Sequence, residues 1–200
     1  YGFLLTPEGE VIDDLMVYRR GEDRFLLVVN AVNEVKDWNW LRAVNSGEVL
    51  LDPERPWVSP DGEVELSDLK AEGAEDGRVD LALQGPASRD VLARLLSPRD
   101  QRRLRALRRT EFLELSISGK EVLLARTGYT GEPLGYELYV HPGDARELWE
   151  LILEAGKEFG VIPCGLAARD SLRTEAGLPL YGHELAGELS VGPHEAGFTP

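Results

Sequence analysis

With 200 residues, 42% hydrophobic and 29% charged, the chain has an ordinary globular composition and enough length for one large domain or two small ones. A net charge of −14 argues against nucleic acid, whose phosphates need clustered cations, and no apolar run approaches the roughly 18 residues that span a membrane. The lone Cys164 excludes an internal disulfide framework, and no pair among His141, His183 and His194 has metal-ligand spacing.

From Gly2 to Asn30 the pattern reads as β structure. Val11 to Tyr18 and Arg24 to Asn30 form a hairpin around the Arg20–Asp23 turn. A helix follows over Asn33–Val44, with Asn33 as N-cap and Val35, Trp38, Leu41 and Trp40 as its apolar face. Residues 46–78 are rich in Pro, Gly, Asp and Glu and read as either a long loop or an excursion carrying a short hairpin. Order returns with a strand over Val79–Gln84 and a helix from Pro86 to Leu96, where proline near the first turn costs no hydrogen bond.

Two strands, Glu111–Ile117 and Glu121–Thr127, then flank Ser118-Gly119-Lys120, and Gly135–His141 is a further strand. Leu148, Leu151, Ile152, Ala155 and Phe159 recur at helical spacing, predicting an amphipathic helix over Asp144–Phe159. Gly165–Ala176 is a last helix, stopped by Gly177 and Pro179. The fold class is α+β, antiparallel sheets carrying helices on one face. Cys164, in Ile-Pro-Cys-Gly with no partner nearby, is expected to be a buried structural thiol.

Four places carry candidate chemistry. In Val11–Tyr18 alternation puts Asp13 on one face and Asp14 on the other, each among apolar neighbours. A carboxylate there is costly unless bonded, paired or used, and one of the two can simply bond backbone amides. Asn30 ends the next strand, where turn chemistry is the plain alternative. The stretch Arg126–Glu137 has Gly128, Gly131 and Gly135, which permit tight turns and close backbone approach. It also holds Tyr129, able to stack on a flat heterocycle, and Glu137, able to accept two parallel hydrogen bonds. On the last helix Leu166, Arg169 and Arg173 share a side, and Asp170 can pair with Arg173; a surface ion-pair array is the alternative.

Gly9–Tyr18, Arg126–Glu137 and Gly165–Glu184 together resemble the aminomethyltransferase (T-protein) family of the glycine cleavage system, and Leu-Gln-Gly-Pro-Ala-Ser (83–88) fits the same spelling. The resemblance implies ferredoxin-like split β-α-β folate-binding units, residues 1–84 in a first subdomain with an insertion near 46–78, and 85–200 in a second. A segment before the first strand and a C-terminal barrel are expected to be missing, the chain being truncated at both ends. The resemblance further implies tetrahydrofolate as co-substrate and a lipoylated carrier (H-protein) as partner. The aminomethyl carbon passes to the folate and ammonia leaves. It makes Asp14 catalytic, with Asp13 the runner-up. On the same resemblance Asn30, Val28 through its backbone, Tyr129, Glu137 and Arg169 are expected to contact the folate, and Arg173 and Glu175 to fix the helix.

In that family Gly-Glu-Asp-Gly commonly follows the tyrosine, whereas this chain reads Glu132-Pro-Leu-Gly135, one residue longer. The implied location is cytoplasmic, with an organellar targeting segment left open. Two other readings share the folate domain: a demethylation module of dimethylglycine- or sarcosine-oxidising enzymes, and a non-catalytic folate-binding protein assisting iron–sulfur assembly. No dinucleotide fingerprint supports the first, and Arg126-Thr-Gly-Tyr lacks the cysteine expected of the second.

Overall fold

The computed structural model describes residues 1–198. The chain forms two compact units, one from Tyr1–Ser67 with the stretch after Pro179, the other Asp68–Leu178. This division does not follow the expected one at residue 84, because the strand ending there pairs inside the second unit.

In the first unit β1 (Gly2–Leu5), β2 (Val11–Arg19) and β3 (Phe25–Val28) make an antiparallel meander in the order β1-β2-β3. The expected hairpin is present, but β3 is shorter than its apolar run, and Asn30 lies two residues past its end. Strand β2 buries Ile12, Leu15 and Tyr18, and it buries Asp13 as completely as any of them.

A single 3-10 turn, Ala31–Asn33, leads into α1 (Glu34–Asn45). Asn33 stands at the N-cap position but makes no side-chain cap bond. The expected apolar face is not what α1 buries. Val35 is 73% exposed, and the buried residues are Asn33 and Asp37, one turn apart. A polar pair at i, i+4 has replaced the apolar stripe because β2 offers it a carboxylate, Asp13, rather than a hydrophobic groove. No helix or strand forms between Asn45 and Val79, so this stretch is the long loop and carries no hairpin. The Asn45 amide exchanges hydrogen bonds with the Val64 backbone at 2.8 and 2.9 Å, which anchors this excursion.

In the second unit β4 (Val79–Gln84), β5 (Phe112–Ile117), β6 (Lys120–Ala125) and β7 (Gly135–Val140) form an antiparallel sheet in the order β4-β7-β6-β5. The β5–β6 hairpin turns through Ser118 and Gly119, both with positive φ, the geometry that follows strand twist in two-residue hairpins. Helices α2 (Ser88–Leu95), α3 (Pro98–Ala106) and α4 (Pro142–Gly156) cover one sheet face. Leu83, Leu124, Tyr136, Leu138 and Val140 from the strands there meet Val91, Leu92, Leu104, Leu148 and Ile152 from the helices.

Helix α3 was not foreseen, although Ser97 accepts from the Asp100 amide with proline at the first helical turn. Its mean hydropathy is low because only Leu104 faces the core, so no periodic stripe announced it. Helix α5 (Leu166–Glu175) is where the sequence put it, and Gly177 follows it with φ +69°. Cys164 is exposed rather than buried, a correction that follows from its place in the extended chain ahead of α5.

Candidate functional site

Two clusters of polar side chains stand out, one in each unit. The first is built on β2. Adjacent strand residues point to opposite faces, yet Asn30, just past the end of β3, reaches both aspartates. Its Nδ2 donates to Asp13 Oδ1 at 2.9 Å and to Asp14 Oδ1 at 2.8 Å, and its backbone N–H donates to Asp13 Oδ2 at 2.9 Å. Asn33 Nδ2 adds a 2.6 Å bond to Asp13 Oδ1.

Asp13 is therefore fully buried and accepts three N–H groups, the arrangement of a structural carboxylate. Asp14 is only half-buried, and the Tyr1 hydroxyl donates to its Oδ2 at 2.9 Å. Burial raises the Asp14 carboxyl above its ordinary range, the Tyr1 hydrogen bond opposes that, and the Asp13 charge adds to it. Of the two aspartates, Asp14 is the one open to a reactant.

Asp37 completes this cluster from α1. Its carboxyl is buried, and neither oxygen has a hydrogen-bond donor among the described residues. Burial pushes it up to about 8. The neighbouring Asp13 carboxylate acts in the same direction, while Lys36 opposes. Lys36 itself bonds the Tyr181 hydroxyl at 2.5 Å and lies 4.1 Å from that ring's centre. Val28 ends β3 opposite Met16, partly buried.

The second cluster lies on the sheet face opposite the helices. Register places Asp80, Ala82 and Gln84 beside Tyr139, Glu137 and Gly135. The Thr127 hydroxyl donates to Glu137 Oε2, and the Tyr139 hydroxyl reaches the same oxygen at 3.3 Å. Asp80, diagonal to Glu137, is pushed up to about 7 by desolvation and then by the Glu137 charge. Its side chain still reaches solvent, so water screens much of that repulsion.

The Gln84 amide lies across Gly128 and Gly135, where a Cβ would sit 1.8 and 1.9 Å from its Oε1. Its Nε2 donates to the Tyr136 and Thr127 carbonyls at 3.1 and 3.3 Å. Close approach, rather than turn geometry, is thus what these two glycines supply. Gly131 has φ +78°, and its missing Cβ would meet Ala176 at 2.5 Å, so the 127–134 loop packs on the end of α5.

That packing joins two residues singled out separately in the sequence: the Arg169 guanidinium lies over the Tyr129 ring at 4.4 Å. Arg173 is buried, pairs with Asp170 at 2.7 Å and donates to the Leu178 carbonyl, the helix-fixing role expected of it. Tyr1, Asn33, Asp37, Gln84 and Thr127 were missed. In the sequence Asn33 reads as a cap, a role it does not play, and Gln84 and Thr127 stand only as letters of longer motifs. Among the described residues no group of three His, Cys, Asp or Glu side chains could hold a metal ion.

The chain that carries these two clusters matches known proteins along nearly its whole length. The family model for the GCVT N-terminal domain matches residues 1–199. An aminomethyltransferase of Geobacillus kaustophilus is 46% identical over 198 residues, 98% of this chain and 47% of that protein. The aminomethyltransferase of Bacillus subtilis is 39% identical over the same span. A solved structure, glycine cleavage system aminomethyltransferase T from Bartonella henselae, superposes with a TM-score of 0.64 at 32% identity, covering 93% of this chain and 42% of that one. The chain belongs to the GCVT N-terminal domain family. It spans about half the length of the curated relatives it matches.

Proposed function

We propose that this chain is the folate-binding part of an aminomethyltransferase of the glycine cleavage system. It would take the aminomethyl carbon from a lipoylated carrier protein, pass it to tetrahydrofolate and release ammonia. Membership of the family and the names of its relatives support the activity. The observation that carries the chemistry is Asp14, a half-buried carboxylate held between the Tyr1 hydroxyl and the Asn30 amide.

The available groups suit a reduced folate. A pterin edge is rich in N–H donors, and Glu137 is an acceptor whose hydrogen bonds to Thr127 and Tyr139 both fall on Oε2, leaving Oε1 to receive a ligand's amino group. Tyr129, stacked under Arg169, presents a flat ring beside a cation, which suits a conjugated, anionic molecule. Bound tetrahydrofolate supplies the nitrogens that accept the carbon.

Asp14 in this reading orients the reacting nitrogen and stabilises positive charge developing at the transferred carbon. Its raised affinity for a proton also suits it to take one up and hand it on. Asn30 fixes that carboxylate and, with the Val28 backbone at the end of β3, is assigned to the folate. The test is carrier-dependent turnover in the full-length protein. Asp14→Asn should lower kcat roughly a hundredfold or more, the scale of losing a charged group that acts in the transition state. Normal turnover in this variant sinks the assignment.

A further inference from the structure

Asp37 belongs to no part of the chemistry described so far, yet it is among the most completely buried acids in the protein. It sits one turn after Asn33 on the face of α1 that meets β2. An ionised carboxylate there has no donor to accept from among the described residues, a state that buried polar groups avoid. A protonated carboxyl needs only an acceptor, and Asp13, which gathers three N–H groups, is one. Asp37 lies one helical turn from Asn33, whose amide bonds Asp13, and two carboxyls that meet in such a buried site share one proton rather than both ionise.

The charged groups around Asp37 are Asp13 and Asp14 on β2 and Lys36 on its own helix. Two of the three favour retention of the proton, and Lys36 is drawn toward Tyr181. The same proton bears on Asp14, because the Asn30 amide bridges Asp13 Oδ1 and Asp14 Oδ1 with its two hydrogens. Whatever shifts Asp13 shifts Asn30, and with it one of the two side-chain donors that hold Asp14.

We propose that Asp37 is a positioning residue: it keeps a proton, donates it to Asp13, and through Asn30 holds Asp14 in its working orientation. The inference rests on the reading of Asp14 given above. Ionisation of Asp37 in alkaline solution sets a second negative charge against Asp13 and loosens the bridge, so turnover falls on the alkaline side.

The experiment uses the full-length protein with Asp37→Ala, Asp37→Asn and Asp14→Asn, read by infrared pH titration of the carboxyl stretch and by the pH profile of kcat. Wild type should show a buried protonated carboxyl at neutral pH that disappears on alkaline titration and is missing in Asp37→Asn. Asp37→Ala should lose roughly tenfold or more in kcat with an unchanged KM for tetrahydrofolate, the scale of removing a supporting hydrogen-bond partner. Asp37→Asn, neutral and still a donor, should restore most of that loss and erase the alkaline limb. No such carboxyl signal in wild type, or a wild-type profile in Asp37→Ala, overturns the proposal. If Asp37→Ala fails to fold, Asp37→Asn decides alone, and an alkaline limb kept in that variant overturns it. Full activity in Asp14→Asn removes the Asp14 reading and the positioning role with it. Loss in Asp14→Asn beside an unaffected Asp37→Ala removes only the role of Asp37.

Discussion

Adding one methyl group at Gly135 tests how the Glu137 cluster is held. The backbone there tolerates alanine, since Gly135 has no positive φ, so any penalty must come from what the methyl meets. It meets the Gln84 amide, with Oε1 at 1.9 Å and Cδ at 2.6 Å. The same amide lies equally close to Gly128, so it has little room to shift and has to leave.

Leaving breaks the bonds from Nε2 to the Tyr136 and Thr127 carbonyls, each contributing about 0.5–1.5 kcal/mol net. Reduced freedom of the unfolded chain returns about 0.4–1 kcal/mol, so Gly135→Ala should cost about 1–2 kcal/mol overall. In a Gln84→Ala background the obstacle is gone and the same change should be neutral or slightly stabilising. Denaturant unfolding of the four proteins gives a double-mutant cycle with a coupling of about 1–3 kcal/mol. An equal cost of Gly135→Ala in both backgrounds would refute the reasoning. Tetrahydrofolate affinity should fall in Gly135→Ala as well, because the Thr127 carbonyl that Gln84 holds belongs to the residue whose hydroxyl serves Glu137.

Asp13→Asn and Asp14→Asn should part company. Asp13→Asn turns an acceptor toward three N–H donors into a part-donor and should mainly lower stability, by about 1–3 kcal/mol in unfolding measurements, whereas Asp14→Asn should mainly lower turnover. Stability should also depend on pH through Asp37, whose carboxyl rises from 3.8 to about 8 on folding. Between those values the folded chain holds a proton that the unfolded chain has released. This group's contribution is therefore fully present below about pH 4 and is lost as pH rises toward about 8. Asp37→Asn should flatten that part of the melting-temperature profile, and an unchanged slope would show that the carboxyl titrates normally.

Strand and helix identities were largely legible because β2, β6 and β7 are apolar runs bounded by turn signals, β4 alternates, and α4 carries a helical apolar period. Helix α1 shows the limit of that signal. Its position was right and its buried face wrong, since Val35, Trp38 and Leu41 have the spacing of a core stripe while the buried pair is Asn33 and Asp37. Periodicity reports where apolar residues recur, not whether the facing strand carries a carboxylate that a polar pair satisfies better. The Asp13–Asp14 pair was visible as a break in an apolar strand, but the difference between the two rests on Asn30 and Asn33, whose bonds span 16 to 20 residues of sequence. Gly128 and Gly135 were noticed as glycines. Their purpose, making room for Gln84 from a distant strand, could be read only from the fold.

Calorimetric titration of the full-length protein with tetrahydrofolate decides whether this chain binds a reduced folate through Glu137 and Arg169. Wild type should bind. Glu137→Gln should weaken binding by about 1–3 kcal/mol, because an acceptor becomes a donor facing a donor. Arg169→Lys should weaken it too, as a planar cation stacked on Tyr129 is replaced by a point charge. Wild-type affinity in both variants would contradict the account.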